Sequence, residues 1–272
     1  MEVLDVHHHI GSLYHVLLGG QTQQDQASID DEYGRRIRMM DDAGIAAAIV
    51  LPATGYDQPN GIQDTMRVND AMAAYRARDP KRFPVAFGIV EPLHGMRGLE
   101  EMDRIHNELH LNGVVWHHRF QGVPIDAQIM RPMLQRLGDL GLIPFVHLIS
   151  ISSMENPWRL ERLAREFPHI TFVALDAFSG ADSGRAVLDL AERTENILFD
   201  TAVFFSGPTF LKGVVDAIGS HRLLFGSDVY AEPSQVIATA PVLLDMIRQA
   251  DISEQDKANI LGLNAKRLFG LE

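Results

Sequence analysis

Residues 143–149 read IPFVHLI, Ile143-Pro144-Phe145-Val146-His147-Leu148-Ile149, apolar from end to end except for His147 near the C-terminal end. A strand that offers neither face to water belongs in a sheet covered on both sides, and such sheets are parallel with helices packed over them. Seven more runs share this character: Val3–Val6, Ile45–Leu51, Pro84–Val90, Gly113–His117, Ile170–Leu175, Ile197–Thr201 and Arg222–Gly226. The segments between them carry helical spacing, as in Leu160, Leu163, Ala164 and Phe167 at offsets 0, 3, 4 and 7. Eight strand–helix units in 272 residues predict an α/β fold of the (β/α)8 TIM-barrel type rather than an open sheet. No linker, repeat or low-complexity segment divides the chain, so residues 1–272 are expected to form one domain. Ser253-x-x-Asp256 opens a final helix with a capping-box variant. Its apolar face is Ile260, Leu261, Ala265, Leu268 and Phe269, and Gly270 ends it. This helix is expected to cap the barrel.

Composition narrows the partners. With 46% hydrophobic and 22% charged residues the chain is an ordinary globular one, and no apolar run approaches a membrane span. A formal charge of −12 disfavours nucleic acid and anionic membranes. A small molecule is the expected partner, carboxylates included, since local charge can oppose net charge; a homo-oligomer is compatible with everything here. There is no cysteine, so thiolate chemistry and disulfides are out of reach. No secretion signal is visible, which makes the cytoplasm the default compartment.

The expected strands end in chemistry. The segment DVHHHIG, Asp5 to Gly11, follows an apolar strand and lacks the six histidines and linker of a purification tag. Side chains two apart on a strand share a face, so Asp5, His7 and His9 are expected on one side and His8 on the other. His147 closes the fifth strand and Asp228 the eighth. In a parallel barrel all these ends meet at one mouth, where active sites are built. Two or three imidazoles with a carboxylate suit one divalent ion with an open position, zinc first and manganese second. A long connection from Gly11 to about Asp31 and another from Pro52 to about Gln63 should overhang that mouth, and with residues 117–125 they should set specificity. His15, within the first connection, reads as a solvated loop residue. His94, His106, His110, His169 and His221 fall away from the mouth and carry no expected role. Met39, Met40, Trp116 and Phe120 read as packing or pocket wall.

The motifs DVHHHIG, PFVH, RLLFGSD and NILGLNAKRLFGL, supported by the spacing of VNDAMAAYRARDPKRFPVAFGIV, resemble the amidohydrolase superfamily, in its amidohydrolase-2 branch. The resemblance spans essentially the whole chain. It implies a metal held by His7, His9, His147 and Asp228, with Asp228 doubling as the base that takes a proton from metal-bound water. It also aligns His117 with a strand-end histidine; His117 or His118, with Arg119, is expected to bind a substrate carboxylate. Val115 stands where relatives often carry a lysine, which argues against a carbamylated binuclear centre. One position departs from the pattern. Relatives end the sixth strand in a histidine that stabilises substrate charge or moves a proton; here FVALDAFSG places Asp176 there. Beside a cation Asp176 should be ionised. It is expected to be a metal ligand, an orienting acceptor or a second base, rather than a general acid.

Three functions follow as expectations. The first is a metal-dependent hydrolase of a small organic acid, amide or lactone. The second is a metal-dependent non-oxidative decarboxylase, and the third a metal-free lactonase or binding protein.

Overall fold

The computed structural model describes residues 2–11, 26–53, 55–56, 58–204, 206–231 and 239–272. Every strand ladder in it is parallel. In one run, β10 (Val229–Tyr230), β1 (Leu4–Ile10), β2 (Ala47–Pro52) and β3 (Val85–Ala86) lie side by side. The other orders β4 (Gly88–Ile89), β5 (Gly113–Trp116), β6 (Ile143–His147), β7 (Phe172–Leu175), β8 (Ile197–Asp200) and β9 (Leu223–Leu224). The runs meet in the chain itself, because β3 and β4 are the halves of the expected third strand, and β9 and β10 grow from the eighth. A backbone hydrogen bond from Val6 N–H to the Phe225 carbonyl (2.9 Å) ties β1 across the second seam. Helices α1 (Gln26–Ala43), α2 (Ile62–Arg78), α3 (Met96–Asn107), α4 (Met130–Asp139), α5 (Pro157–Glu166), α6 (Ala181–Arg193), α7 (Pro208–Ile218) and α8 (Thr239–Gln249) follow the strand units in turn. This is the expected (β/α)8 architecture. None of the described helices is long and apolar enough to cross a membrane. His15 and most of the first long connection lie outside the described residues, and α1 starts at Gln26, earlier than the expected end of that connection.

Two apolar layers hold the barrel. The inner one gathers Leu4, Val6, Ile49, Phe87, Val115, Phe145, Val173 and Leu224; the outer fills the space between strands and helices. The third strand breaks because a side chain takes over its backbone: the buried Asn69 carboxamide accepts from Ile89 N–H (2.8 Å) and donates to the Ile89 carbonyl (3.0 Å), as a neighbouring strand would. At the break the Phe87 ring packs 4.1 Å from that of Phe145. Room for it comes from Gly113, where a Cβ would stand 2.4 Å from the Phe87 ring and 2.1 Å from the Ile143 carbonyl oxygen.

The first strand contains an extra residue. Asp5 lies opposite Ala48 and His8 opposite Val50, so three steps on β1 match two on β2. Such a bulge reverses the alternation of side chains beyond it. Leu4 and Val6 face the inner layer before the bulge, and His7 and His9 face the mouth after it. The expectation that Asp5 shares a side with His7 and His9 is therefore corrected: Asp5 accepts from the His8 ring instead (3.0 Å).

The C-terminal segment caps the opposite end. Ser253 Oγ accepts from Asp256 N–H (3.1 Å) and Asp256 Oδ2 from Ser253 N–H (3.2 Å), the expected capping box. A π-helical turn at Asn259–Leu263 then frees the Ile260 carbonyl, which accepts from Phe225 N–H (2.8 Å). Ala265, Leu268, Phe269 and Leu271 close the inner layer, and Gly270 ends the helix at φ 64°.

His118 starts a single helical turn, His118–Gln121, and is buried with Nδ1–H donating to the Val123 carbonyl (2.8 Å). Burial, only partly opposed by Glu155, lowers its pKa from 6.5 to about 4. The folded state thus favours the neutral ring. That contribution is complete above pH 6.5 and is lost as pH falls from 6.5 through about 4. The His118→Asn variant, which keeps a donor to Val123, is expected to lose roughly 3 kcal/mol less stability than the parent over this interval, read from urea titrations at several pH values. Two glycines give opposite expectations in the same assay. Gly113→Ala should cost on the order of 1–3 kcal/mol through overpacking. Gly213→Ala, within α7 and with open space around a new Cβ, should stabilise by about 0.5–1 kcal/mol.

Candidate functional site

All the strand-end groups singled out in the sequence lie at one mouth. His7, His9 and His147 are buried and offer one nitrogen each within 4.8 Å of one another. Their outer nitrogens are occupied. His9 Nδ1–H donates to the Pro52 carbonyl (3.0 Å) and His147 Nδ1–H to the Trp116 carbonyl (3.2 Å), while His7 Nδ1 bonds Asp200 Oδ2 (2.6 Å). This leaves the three Nε2 atoms facing inward as lone-pair donors, the tautomer a metal-binding histidine needs. His7 Nε2 and His9 Nε2 are 2.9 Å apart, and Asp228 Oδ1 is 3.4 and 3.5 Å from them. Two lone pairs at that separation repel unless a proton or a cation lies between them. The donor set, imidazole nitrogens with a carboxylate oxygen, fits a divalent transition ion.

The charge balance points the same way. Burial pulls the His7 pKa down, but Asp228, Asp200 and Asp176 together raise it to about 10. Burial and then the charge on His7 push His9 well below its usual value, and burial with His117 and His7 does the same to His147. Asp228 is raised to about 6 by burial, which His7 opposes. Asp176 is raised well above the ordinary carboxylate range by burial and then by Asp228. Its expected ionisation thus has no support from the protein alone, because it depended on a cation next to it. A pocket that keeps a proton on one imidazole among three aspartates, two of them buried, is a pocket built for positive charge.

Asp176 and Asp228 both have left-handed backbones, φ 58° and 56°. Outside glycine this region is sparsely populated, Asp and Asn tolerate it best, and strain of this kind gathers at functional sites. Asp176 N–H donates to Asp200 Oδ1 (3.0 Å), so one buried carboxylate holds both His7 and the end of β7.

His117 lies beside this cluster with its ring stacked on His147, centroids 4.1 Å apart. Its Nδ1 bonds Glu155 Oε1 (2.6 Å), and Arg119 N–H donates to the same oxygen (2.9 Å). The Arg119 guanidinium packs over the Phe120 ring at 4.6 Å, its buried Nε makes no hydrogen bond but lies 3.9 Å from Glu155 Oε2, and its charge reaches Asp228. His8 turns away from the mouth into a buried polar chain. Its Nε2–H donates to Asp5 Oδ2, Arg36 donates to its Nδ1 (3.2 Å) and to the His9 carbonyl (2.5 Å), and Glu32 and Tyr75 complete the chain. Asp5 Oδ1 accepts from His7 N–H (3.0 Å) and Ser227 N–H (3.1 Å).

Several of these groups escaped the sequence. Asp200 ends the run Ile197–Thr201 and could have been found by the rule that found His147 and Asp228. Tyr230, stacked on His9 at 4.7 Å, lies only two residues beyond Asp228. Glu155, in the loop after β6, and Arg36, inside α1, carry no local signal that points to the mouth.

The amidohydrolase family matches residues 4–271 of the chain. Among solved structures it is similar to 2,6-dihydroxybenzoate decarboxylase from Rhizobium, with 19% identity, TM-score 0.73, and coverage of 99% of this chain and 98% of that one. It is similar to 5-carboxyvanillate decarboxylase from Novosphingobium aromaticivorans in complex with manganese and 4-hydroxy-3-methoxy-5-nitrobenzoic acid, with 18% identity, TM-score 0.73, and coverage of 99% and 96%. A Staphylococcus aureus protein assigned to the amidohydrolases gives 16% identity, TM-score 0.77 and full coverage of both chains. No curated protein matches the sequence. At these identities the structural matches speak for the barrel, and the match along nearly every residue speaks for the family: the chain belongs to the amidohydrolases.

Proposed function

We propose that the protein is a divalent-metal-dependent, non-oxidative decarboxylase of a small carboxylate on an aromatic or enolic framework. The observation that carries this is the convergence of three Nε2 atoms and Asp228 Oδ1 at the mouth of a barrel whose relatives of known reaction, described above, are decarboxylases. The hydrolase that led on sequence alone gives way to its alternative for that reason. Manganese replaces zinc as the favoured ion, because manganese is what the Novosphingobium enzyme carries.

An ion held by His7, His9, His147 and Asp228 would supply Lewis-acid orientation of the substrate's oxygen atoms. The protein does the rest. Arg119, partly exposed and held 3.9 Å from Glu155 Oε2 through its buried Nε, turns the rest of its guanidinium to an anionic substrate at the mouth. Burial lowers the His117 pKa, and Glu155 takes its Nδ1–H, so the neutral ring presents Nε2 as an acceptor to a substrate hydroxyl. Loss of carbon dioxide breaks the carbon–carbon bond and leaves its electron pair on the ring carbon, which must then gain a proton. Asp228 is placed to deliver it: Oδ1 faces the imidazoles, and the side chain is still 24% exposed to the mouth, where water returns the proton.

Carbon dioxide release from a panel of hydroxybenzoic acids, set against hydrolysis of amides and lactones, checks the reaction class with manganese-loaded protein. Hydrolysis with no carbon dioxide would reverse the choice. Asp228→Asn keeps the shape but cannot carry the proton, and kcat is expected to fall by roughly 10²–10⁴-fold with the fold intact by circular dichroism. A kcat near that of the parent would remove Asp228 from the proton path. His7→Ala and His9→Ala should each abolish stoichiometric manganese binding, measured by elemental analysis. His8→Ala should retain the ion and instead lose about 1–3 kcal/mol of stability, because Asp5 and Arg36 lose their shared partner. Metal loss in the His8 variant with retention in the His9 variant would overturn the ligand assignment.

A further inference from the structure

We propose that Asp176 is itself a ligand of the ion, giving a centre of three imidazoles and two carboxylates that favours manganese over zinc. This rests on the metal-centre reading above and adds a residue at the one place where the chain departs from its family's pattern.

Three observations carry it. The first is the backbone. Asp176 and Asp228 adopt nearly the same left-handed conformation, φ 58° and 56°, at the C-terminal ends of different strands. Val203, after β8, and His110 share this rare geometry, but at Asp176 and Asp228 it ends in carboxylates with oxygens 3.8 Å from His147 Nε2 and 3.4 Å from His7 Nε2. The second is an unpaid polar atom. Asp176 Oδ1 is buried with no hydrogen-bond partner, 4.0 Å from His7 Nδ1, and Oδ2 lies 3.8 Å from His147 Nε2. Oδ1 thus stands on the His7 Nδ1 side, beside Asp200, while Oδ2 is the oxygen turned to the His147 Nε2, and a cation reached by Oδ2 would offset the cost of burying the carboxylate. The third removes the ordinary explanation. The turn after β7 is closed by the Asp176 backbone carbonyl, which accepts from Ser179 N–H (3.1 Å), so the side chain is not needed as its cap.

Asp200 has the other role. It accepts from both His7 Nδ1–H and Asp176 N–H, so it registers one expected ligand against the next without facing the Nε2 cluster. Five protein donors exceed the four of a tetrahedral zinc site and leave one position of an octahedron for substrate or water. Carboxylate oxygens suit the harder ion, and imidazoles alone would suit zinc. Asp176 is therefore a selectivity determinant.

The test measures metal affinity, not turnover. Metal-stripped parent, Asp176→Asn and Asp176→Gly are titrated with Mn²⁺ by calorimetry and with Zn²⁺ by competition against a chromophoric chelator. The glycine variant removes the carboxylate while relieving the left-handed strain, so a failure to fold cannot account for its result. In both variants Mn²⁺ affinity should fall by more than about 100-fold, beyond the usual effect of an outer-shell partner, and Zn²⁺ affinity by roughly tenfold or less. If the losses for the two metals differ by less than about tenfold, or Mn²⁺ affinity is unchanged, Asp176 is not a selective ligand and the proposal is overturned. If the parent itself binds neither ion, it is the metal-centre reading that fails, and the two failures are told apart by the parent titration alone.

Discussion

The mouth of this barrel depends on one inserted residue in the first strand and on the carboxylate that locks it. Between Asp5 and His8 the chain takes three steps against two on β2, and the alternation of side chains is inverted. Without that step, the face that buries Leu4 and Val6 would present His8 to the mouth and turn His7 and His9 toward the helices. Asp5 fixes the irregularity by accepting from His7 N–H, the His8 ring and Ser227 N–H. The last of these reaches the residue before Asp228. A single buried side chain thus sets the position of two expected ligands on the first strand and of the proton-carrying group on the eighth.

Electrostatics then explains why so much acid is tolerated in so little space. Asp5, Asp176 and Asp200 are buried, and Asp228 is mostly so. On the helix side Arg36 is the counterweight, fully enclosed and paired with Glu32 behind the strand. On the mouth side the compensation comes from a proton on His7 or from an ion that displaces it. Binding of the proposed ion would release that proton, which is the usual linkage for sites whose ligands must be deprotonated.

Much of this was legible in the sequence because a parallel barrel makes strand ends equivalent. An apolar run followed by a single polar residue picked out His147 and Asp228, and the close spacing of His7 and His9 placed both at the mouth. The same rule applied to Ile197–Thr201 would have added Asp200. What could not be read is whatever depends on register or on loops. Strict alternation assigned Asp5 to the wrong side, since a bulge leaves no mark in composition. The third strand looked continuous from Pro84 to Val90, yet Asn69, more than a dozen residues upstream on a helix, takes over the backbone of Ile89. Glu155 orders both His117 and Arg119 from a loop whose sequence resembles any other polar connection.

The cap at the far end of the barrel has a consequence for how the chain comes to be folded. Asp5 finds its Ser227 partner across 222 residues, and Phe225 reaches the Ile260 carbonyl beyond the whole of α8. Leu4 and Val6 share an inner layer whose members run from the first strand to Ala265, with Leu268 and Phe269 packed against it. Contacts of such long range in sequence are slow to form. Until the first strand and residues 260–271 meet, the apolar inner layer stays open, and that open state is the one exposed to aggregation.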